Sequence, residues 1–137
     1  MYSERLVVAL QNKIHVFDLD TMTALHMLQT PPNVEGLMAL QANTTSNNNN
    51  NNNDNNNNNM NNNNNHGVFL AFPGGTTKCE VVLFDVRNLK IVKLIQAHQH
   101  PLTAMELSQR GEFVATASTE GTIIRVSIRY IYIYYDL

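Results

Sequence analysis

Residues 80–96 read EVVLFDVRNLKIVKLIQ, and residues 13–29 read KIHVFDLDTMTALHMLQ. Laid over one another 67 positions apart, Ile14, Val16, Phe17, Asp18, Leu19, Met22, Leu25 and Leu28 fall on Val81, Leu83, Phe84, Asp85, Val86, Leu89, Val92 and Ile95, while Gln29 falls on Gln96. Each copy is a short β-branched and aromatic run, a Phe-Asp pair, a short polar turn and a second apolar run. That order is the pattern of two strands joined by a turn. Phe17 and Phe84 are expected in the core, and Asp18 and Asp85 are expected to support the turns formed by Asp20-Thr21 and Arg87-Asn88, because Asp side chains bond the backbone just ahead of them.

Outward from these copies the same texture continues. Strands are expected near 5–10, 13–18, 23–28, 36–40, 68–72, 80–86, 90–95, 102–107, 113–118 and 122–128, so the chain is all-β. Between the two copies lies a run, 47–65, that is asparagine except for Asp54 and Met60. Such a run has almost nothing apolar to bury and cannot offset the entropy of ordering its backbone, so residues 43–66 are expected to be a disordered Asn-rich loop. Asparagine-rich runs also occur in prion-like association, but an insertion in a surface loop is the simpler reading, since loop closure costs rise slowly with length. Without residues 43–66 the period falls to about 43, within the ~40–45 of a four-stranded propeller blade.

The fold expected is therefore a partial β-propeller of about two and a half four-stranded WD-type blades. Residues 1–42 hold the end of one blade and the first strand of the next. Residues 67–96 complete that blade, 97–128 supply three strands of a following one, and 129–137 form an aberrant tail. A closed propeller needs about four to eight blades, and an isolated stack needs capped ends.

Charge and cysteine content narrow the functional classes. Nine Lys and Arg against eleven Asp and Glu give a formal net charge of -2, which argues against a nucleic-acid partner held by a broad basic face. Cys79 is the one cysteine, so neither an internal disulfide nor a zinc framework can be drawn from it. His98 and His100 have no acidic or cysteine companions in a metal-binding spacing, and no metal or other cofactor is expected. The apolar run within Met1–Leu10 is too short for a signal peptide or a span, so any encounter with a membrane is expected from the water side. No serine, cysteine or carboxylate pair stands in a recognisable catalytic motif, which makes an enzyme the weakest reading.

The stretches RLVVAL, KIHVFDLDTMTALHMLQTPPNVEGLMAL, FLAFPG and EVVLFDVRNLKIVKLIQAHQHPLTAMELSQRGEFVATASTEGTIIRV resemble, in this order, the middle blades of PROPPINs, the WIPI-like WD-repeat proteins of autophagy. The most specific part is 97–126, above all ATAS followed by EGTIIRV. Ordinary WD repeats more often show a Trp-Asp ending, and this chain has no Trp. The resemblance implies a seven-bladed propeller without enzymatic activity. It would be cytoplasmic and peripheral on phagophore or endosomal membranes, binding headgroups of phosphatidylinositol 3-phosphate and phosphatidylinositol 3,5-bisphosphate and recruiting other autophagy proteins.

Carried over by position, the resemblance implies that His98, Thr116, Ser118, Gly121, Thr122 and Arg125 line the first of two phosphoinositide sites. The residue types suit a phosphate monoester: a guanidinium fork from Arg125, hydroxyl donors from Thr116, Ser118 and Thr122, a glycine for close backbone approach, and a ring nitrogen of His98 that donates more strongly when protonated. Thr116 and Ser118 are two apart and share a strand face, with Ala115 and Ala117 on the other. Without the resemblance, Thr and Ser near a strand end read as turn formers. Arg5 stands where some members hold a partner protein, though it also reads as a solvated charge at a strand start.

The family's Phe-Arg-Arg-Gly motif supplies one arginine to each site, and no Arg-Arg pair occurs in this chain. After Arg125 the sequence becomes VSIRYIYIYYDL, where Arg129 falls too early in the pattern to replace the motif. These departures lead to the expectation of a truncated member with impaired lipid binding. The alternative is a propeller fragment that is non-functional or serves only as a scaffold.

Overall fold

The computed structural model describes residues 4–41, 67–121 and 123–128. The asparagine-rich stretch, Thr122 and the tail after 128 lie outside them. Ten strands follow in chain order: β1 (Arg5–Ala9), β2 (Lys13–Asp18), β3 (Ala24–Gln29), β4 (Ala39–Leu40), β5 (Phe69–Gly74), β6 (Glu80–Asp85), β7 (Lys90–Gln96), β8 (Leu102–Leu107), β9 (Phe113–Ser118) and β10 (Ile124–Ile128). They form three antiparallel sheets, ordered β1-β2-β3, β4-β5-β6-β7 and β10-β9-β8.

The strand expected over 36–40 shrinks to Ala39–Leu40 because the residues before it are already bonded. Asn33, buried, accepts the Leu37 amide through Oδ1 and donates to the Leu37 carbonyl through Nδ2, both at 2.9 Å. Gly36, at φ +64°, donates to the Asn33 carbonyl at 3.0 Å. With its backbone held in this turn, the segment has little to offer a ladder.

The middle sheet is clasped on both faces, and this accounts for the unbroken apolar runs 69–72 of β5 and 81–84 of β6. One face, with Ala71, Val81 and Leu83, packs on Leu102, Met105, Leu107 and Val114 of the third sheet. The other, with Leu70, Phe72, Val82 and Phe84, packs on Ile14, Val16 and Leu28 of the first. Phe84 is wholly buried, and the His26 ring stacks on it at 5.4 Å. Burial of such a side chain contributes about 2–3 kcal/mol. Its counterpart Phe17 differs from expectation: it is only half-buried and stacks on His15 at 5.9 Å. It lies on the outward face of the first sheet, where no other described sheet is packed.

The repeat extends to backbone detail. Asp18 Oδ1 accepts the amides of Asp20 (2.9 Å) and Thr21 (3.1 Å), and Asp85 Oδ1 accepts those of Arg87 (2.9 Å) and Asn88 (3.1 Å). The residues closing the two turns, Met22 and Leu89, both adopt positive φ, 55° and 54°. In both hairpins the ladder register shifts just before the turn, at Val16/Phe17 and at Leu83/Phe84. This is the geometry of a hairpin loop whose last residue is left-handed and bulged.

Candidate functional site

β9 has a clean period of two. Val114, Thr116 and Ser118 are buried and turn toward the middle sheet, whereas Ala115 and Ala117 stand on the other face. Arg125 pairs with Thr116 in the β9–β10 ladder, which places the guanidinium stem on the same face as the hydroxyls. Met105 of β8 pairs with Thr116 on the other side and belongs to the core beneath.

His98 comes from the connection between β7 and β8. Its amide donates to the Cys79 carbonyl at 3.2 Å, which holds the buried ring against β9. His98 Nε2 lies 3.0 Å from Thr116 Oγ1, with donor and acceptor set by the tautomer. Arg125 Nη1 donates to the Ala97 carbonyl at 2.7 Å and so ties β10 to the end of β7. Arg125 Nε is also buried and has no hydrogen-bond partner among the described residues. An unmatched buried donor on a guanidinium is costly, and an anionic oxygen is the partner that relieves it best.

The electrostatics follow from this placement. Burial pushes the His98 imidazole below its ordinary pKa, and the neighbouring Arg125 charge adds to the effect, while the hydrogen bond with Thr116 opposes it. Burial and the Arg125 charge thus both favour the neutral form of the His98 ring. Together these contacts bring the Arg125 charge beside the buried His98 and Thr116.

Of the six residues singled out in the sequence, His98, Thr116 and Arg125 meet directly, and Ser118 lies on their face. Gly121 sits at φ +66° in the turn after β9 and donates to the Ser118 carbonyl at 3.0 Å. A methyl group there would meet nothing within 4 Å, so the glycine answers to its left-handed backbone rather than to a close approach. Thr122 lies outside the described residues. The Ala97 carbonyl was not legible beforehand, because a backbone acceptor leaves no mark in the residue types. Arg5 is not a freely solvated charge: its Nη1 lies 3.3 Å from Asp18 Oδ2, with both side chains largely buried. A separate cleft of roughly 350 Å³, lined by Glu35, Leu37, Lys78, Pro101, Leu102, Thr103 and Thr119, contains none of the six, and its Lys78 is paired with Glu35 at 3.0 Å.

The sequence profile of the PROPPIN family matches residues 1–131. The chain belongs to the PROPPIN family. It is 35% identical over 128 residues to autophagy-related protein 18b of Arabidopsis thaliana, covering 93% of this chain and 29% of that protein. It is 37% identical over 124 residues to WD repeat domain phosphoinositide-interacting protein 2 of Gallus gallus, covering 90% of this chain and 24% of that protein. The chain thus spans about a quarter of the length of these PROPPIN relatives. Among solved structures, the complex of KlAtg21 with the coiled coil of AgAtg16 matches with a TM-score of 0.63 at 20% identity, covering 92% of this chain and 35% of that one. At that identity the likeness speaks for the fold, a partial β-propeller. Among the described residues no helix is long and apolar enough to cross a membrane.

Proposed function

We propose that this PROPPIN chain carries a phosphate-recognising site of a phosphoinositide-binding autophagy adaptor. The site would read the headgroups of phosphatidylinositol 3-phosphate and phosphatidylinositol 3,5-bisphosphate on autophagic or endosomal membranes. The observation that carries the reading is Arg125: Nη1 is anchored on Ala97, and Nε is buried and unmatched beside His98 and Thr116. The anchor fixes the guanidinium plane, and because Nε is sealed from solvent a phosphate oxygen reaches it only when neighbouring groups move aside. Ser118 adds a hydroxyl on the same face, and Gly121 lies in the adjoining turn.

Two names support the same reading. A relative is described as phosphoinositide-interacting, and a structural neighbour was solved with a coiled coil of Atg16, so other autophagy proteins are the partners expected here. The chain acts on this reading as a binding module. Residues 1–42 then hold the end of one blade and the first strand of the next, 67–96 complete that blade and 97–128 supply three strands of a following one, with 43–66 inserted between β4 and β5.

Titration of the 137-residue chain with soluble inositol 1,3-bisphosphate tests the site, because the ligand carries the phosphate without a bilayer. Arg125→Ala is expected to weaken binding by roughly 10–100-fold, the value of charge-assisted hydrogen bonds worth about 1.5–3 kcal/mol. Binding unchanged in Arg125→Ala would remove the basis of the proposal.

A further inference from the structure

The cleft set apart from the Arg125 cluster forms where three segments meet. The loop before β4 brings Glu35 and Leu37, the β5–β6 turn brings Lys78, and the third sheet brings Pro101, Thr103 and Thr119. Its volume of roughly 350 Å³ falls within the range of ligand pockets. Backbone bonds hold its sides together: the Lys78 carbonyl accepts the Leu102 amide at 2.8 Å, and the Pro101 carbonyl accepts that of Thr119 at 2.9 Å. Thr103 is bulged out of the β8–β9 ladder, whose register shifts between Leu102 and Ala104, and stands exposed at the rim.

Lys78 is the unusual residue of the cleft. Its backbone is left-handed, at φ +64°, a conformation that is costly for any side chain with a Cβ. Met22 and Leu89 share it, but they do so at matching positions of the repeat, where they close their turns. Lys78 has no such match, since Gln11 stands 67 positions before it and is not left-handed, and the β9–β10 turn uses a glycine, Gly121. The side chain of Lys78 is only 16% exposed, whereas Glu35, the carboxylate that it meets at 3.0 Å, is 74% exposed. The hydrogen bond from Lys78 holds the Glu35 carboxyl below the usual carboxylate range. A largely buried ammonium is thus fixed by the fold and matched by a carboxylate that water reaches freely, and a pairing with so exposed a partner is weak.

Glu35 shows which group suits this ammonium: a carboxylate on a flexible stem. A phosphate asks for more cationic partners than the single ammonium lining the cleft. A carboxylate arriving with an apolar neighbour has an advantage over Glu35, because it covers the apolar wall and shields the ion pair from water. We propose that the cleft docks an extended segment of a partner protein, whose glutamate displaces Glu35 from Lys78 while the next apolar side chain packs on Leu37 and Pro101. The Thr103 and Thr119 hydroxyls border the incoming carboxylate, and Glu35 acts as a built-in competitor. This site is independent of the phosphate reading, since it shares no residue with that cluster.

The isotope-labelled 137-residue chain is titrated with the blocked peptide acetyl-Gly-Glu-Leu-Gly-amide, with nuclear magnetic resonance following the amides of Leu37, Lys78, Thr103 and Thr119. These amides should shift saturably, and the glutamine counterpart of the peptide should bind about 10-fold more weakly. Glu35→Gln removes the competitor and should tighten binding by about 2–5-fold. Lys78→Gly relieves the left-handed backbone, so its urea midpoint should hold or rise while peptide binding falls by about 10-fold or more. Equal binding of the two peptides overturns the proposal, as does binding that survives Lys78→Gly or is no tighter in Glu35→Gln. Absence of a saturable shift overturns it too. Displacement of the peptide from these amides by inositol 1,3-bisphosphate would assign the cleft to phosphate and likewise overturn it.

Discussion

Substituting Gly74 by alanine should destabilise the native chain but become neutral or stabilising once Val82 is shortened. Gly74 ends β5, is buried and pairs with Glu80 across the hairpin. A Cβ built on it falls 2.5 Å from Val82 Cγ2, while its next neighbours are 3.9 Å away. Its φ lies outside the left-handed region, so the substitution tests space rather than backbone strain. Val82 is stiff at χ1 and is packed among Leu70, Phe72 and Phe84, so the methyl cannot swing aside and the strands must shift. Overpacking of this kind costs about 1–3 kcal/mol, offset by about 0.4–1 kcal/mol because alanine narrows the unfolded ensemble. Val82→Ala alone removes two methyl groups and leaves a small cavity, at a cost of about 2 kcal/mol. In the double variant the alanine methyl at 74 fills the volume that Cγ2 vacated. The two costs then fail to add, with a coupling of roughly 2 kcal/mol. Equilibrium urea unfolding of the four chains, comparing midpoints at constant slope, measures this directly. A coupling below about 0.5 kcal/mol would show that the end of the hairpin yields freely and that the packing argument is mistaken.

Two further outcomes concern the site and the turn. Because burial and Arg125 hold His98 below its unfolded pKa of about 6.5, the unfolded chain binds more protons as the pH falls. The His98 contribution to stability is therefore full above about pH 6.5 and declines as the pH drops through that value toward the folded pKa. His98→Gln should flatten this part of the profile of urea midpoint against pH, and an unaltered profile would exclude His98 as its source. Asp85→Ala removes the acceptor for two backbone amides and for Asn88 Nδ2 at 2.7 Å. The loss should be about 2 kcal/mol, since the carboxylate is buried and its bonds are charge-assisted, and a change within about 0.5 kcal/mol would refute the assigned role.

How far the residue pattern carried the reading differs from element to element. The strands were legible because short β-branched and aromatic runs end at turn residues, with a period of two where one face is less buried, as in β9. β4 was overestimated because a single side chain, Asn33, takes up the backbone groups of Leu37, a local bond that competes with the ladder. Phe17 and Phe84 occupy matching positions, yet only Phe84 is fully buried, since matching residues do not guarantee a matching sheet opposite. In the site, the shared face of Thr116 and Ser118 followed from spacing, while the meeting of His98 with Thr116 depends on how the β7–β8 connection crosses between sheets.

Read alone, the order of residues determined the all-β class, the repeat, its turns, the family resemblance and the residue types of the candidate site. All of these are properties of a short window or of a comparison between windows. The tertiary structure decided that Arg125 spans from β10 to the Ala97 carbonyl and keeps a buried Nε unmatched, and that β7 remains exposed while both faces of its sheet are covered. Those facts depend on cross-strand register and on the separation between sheets, which come from packing many side chains at once and belong to no single segment.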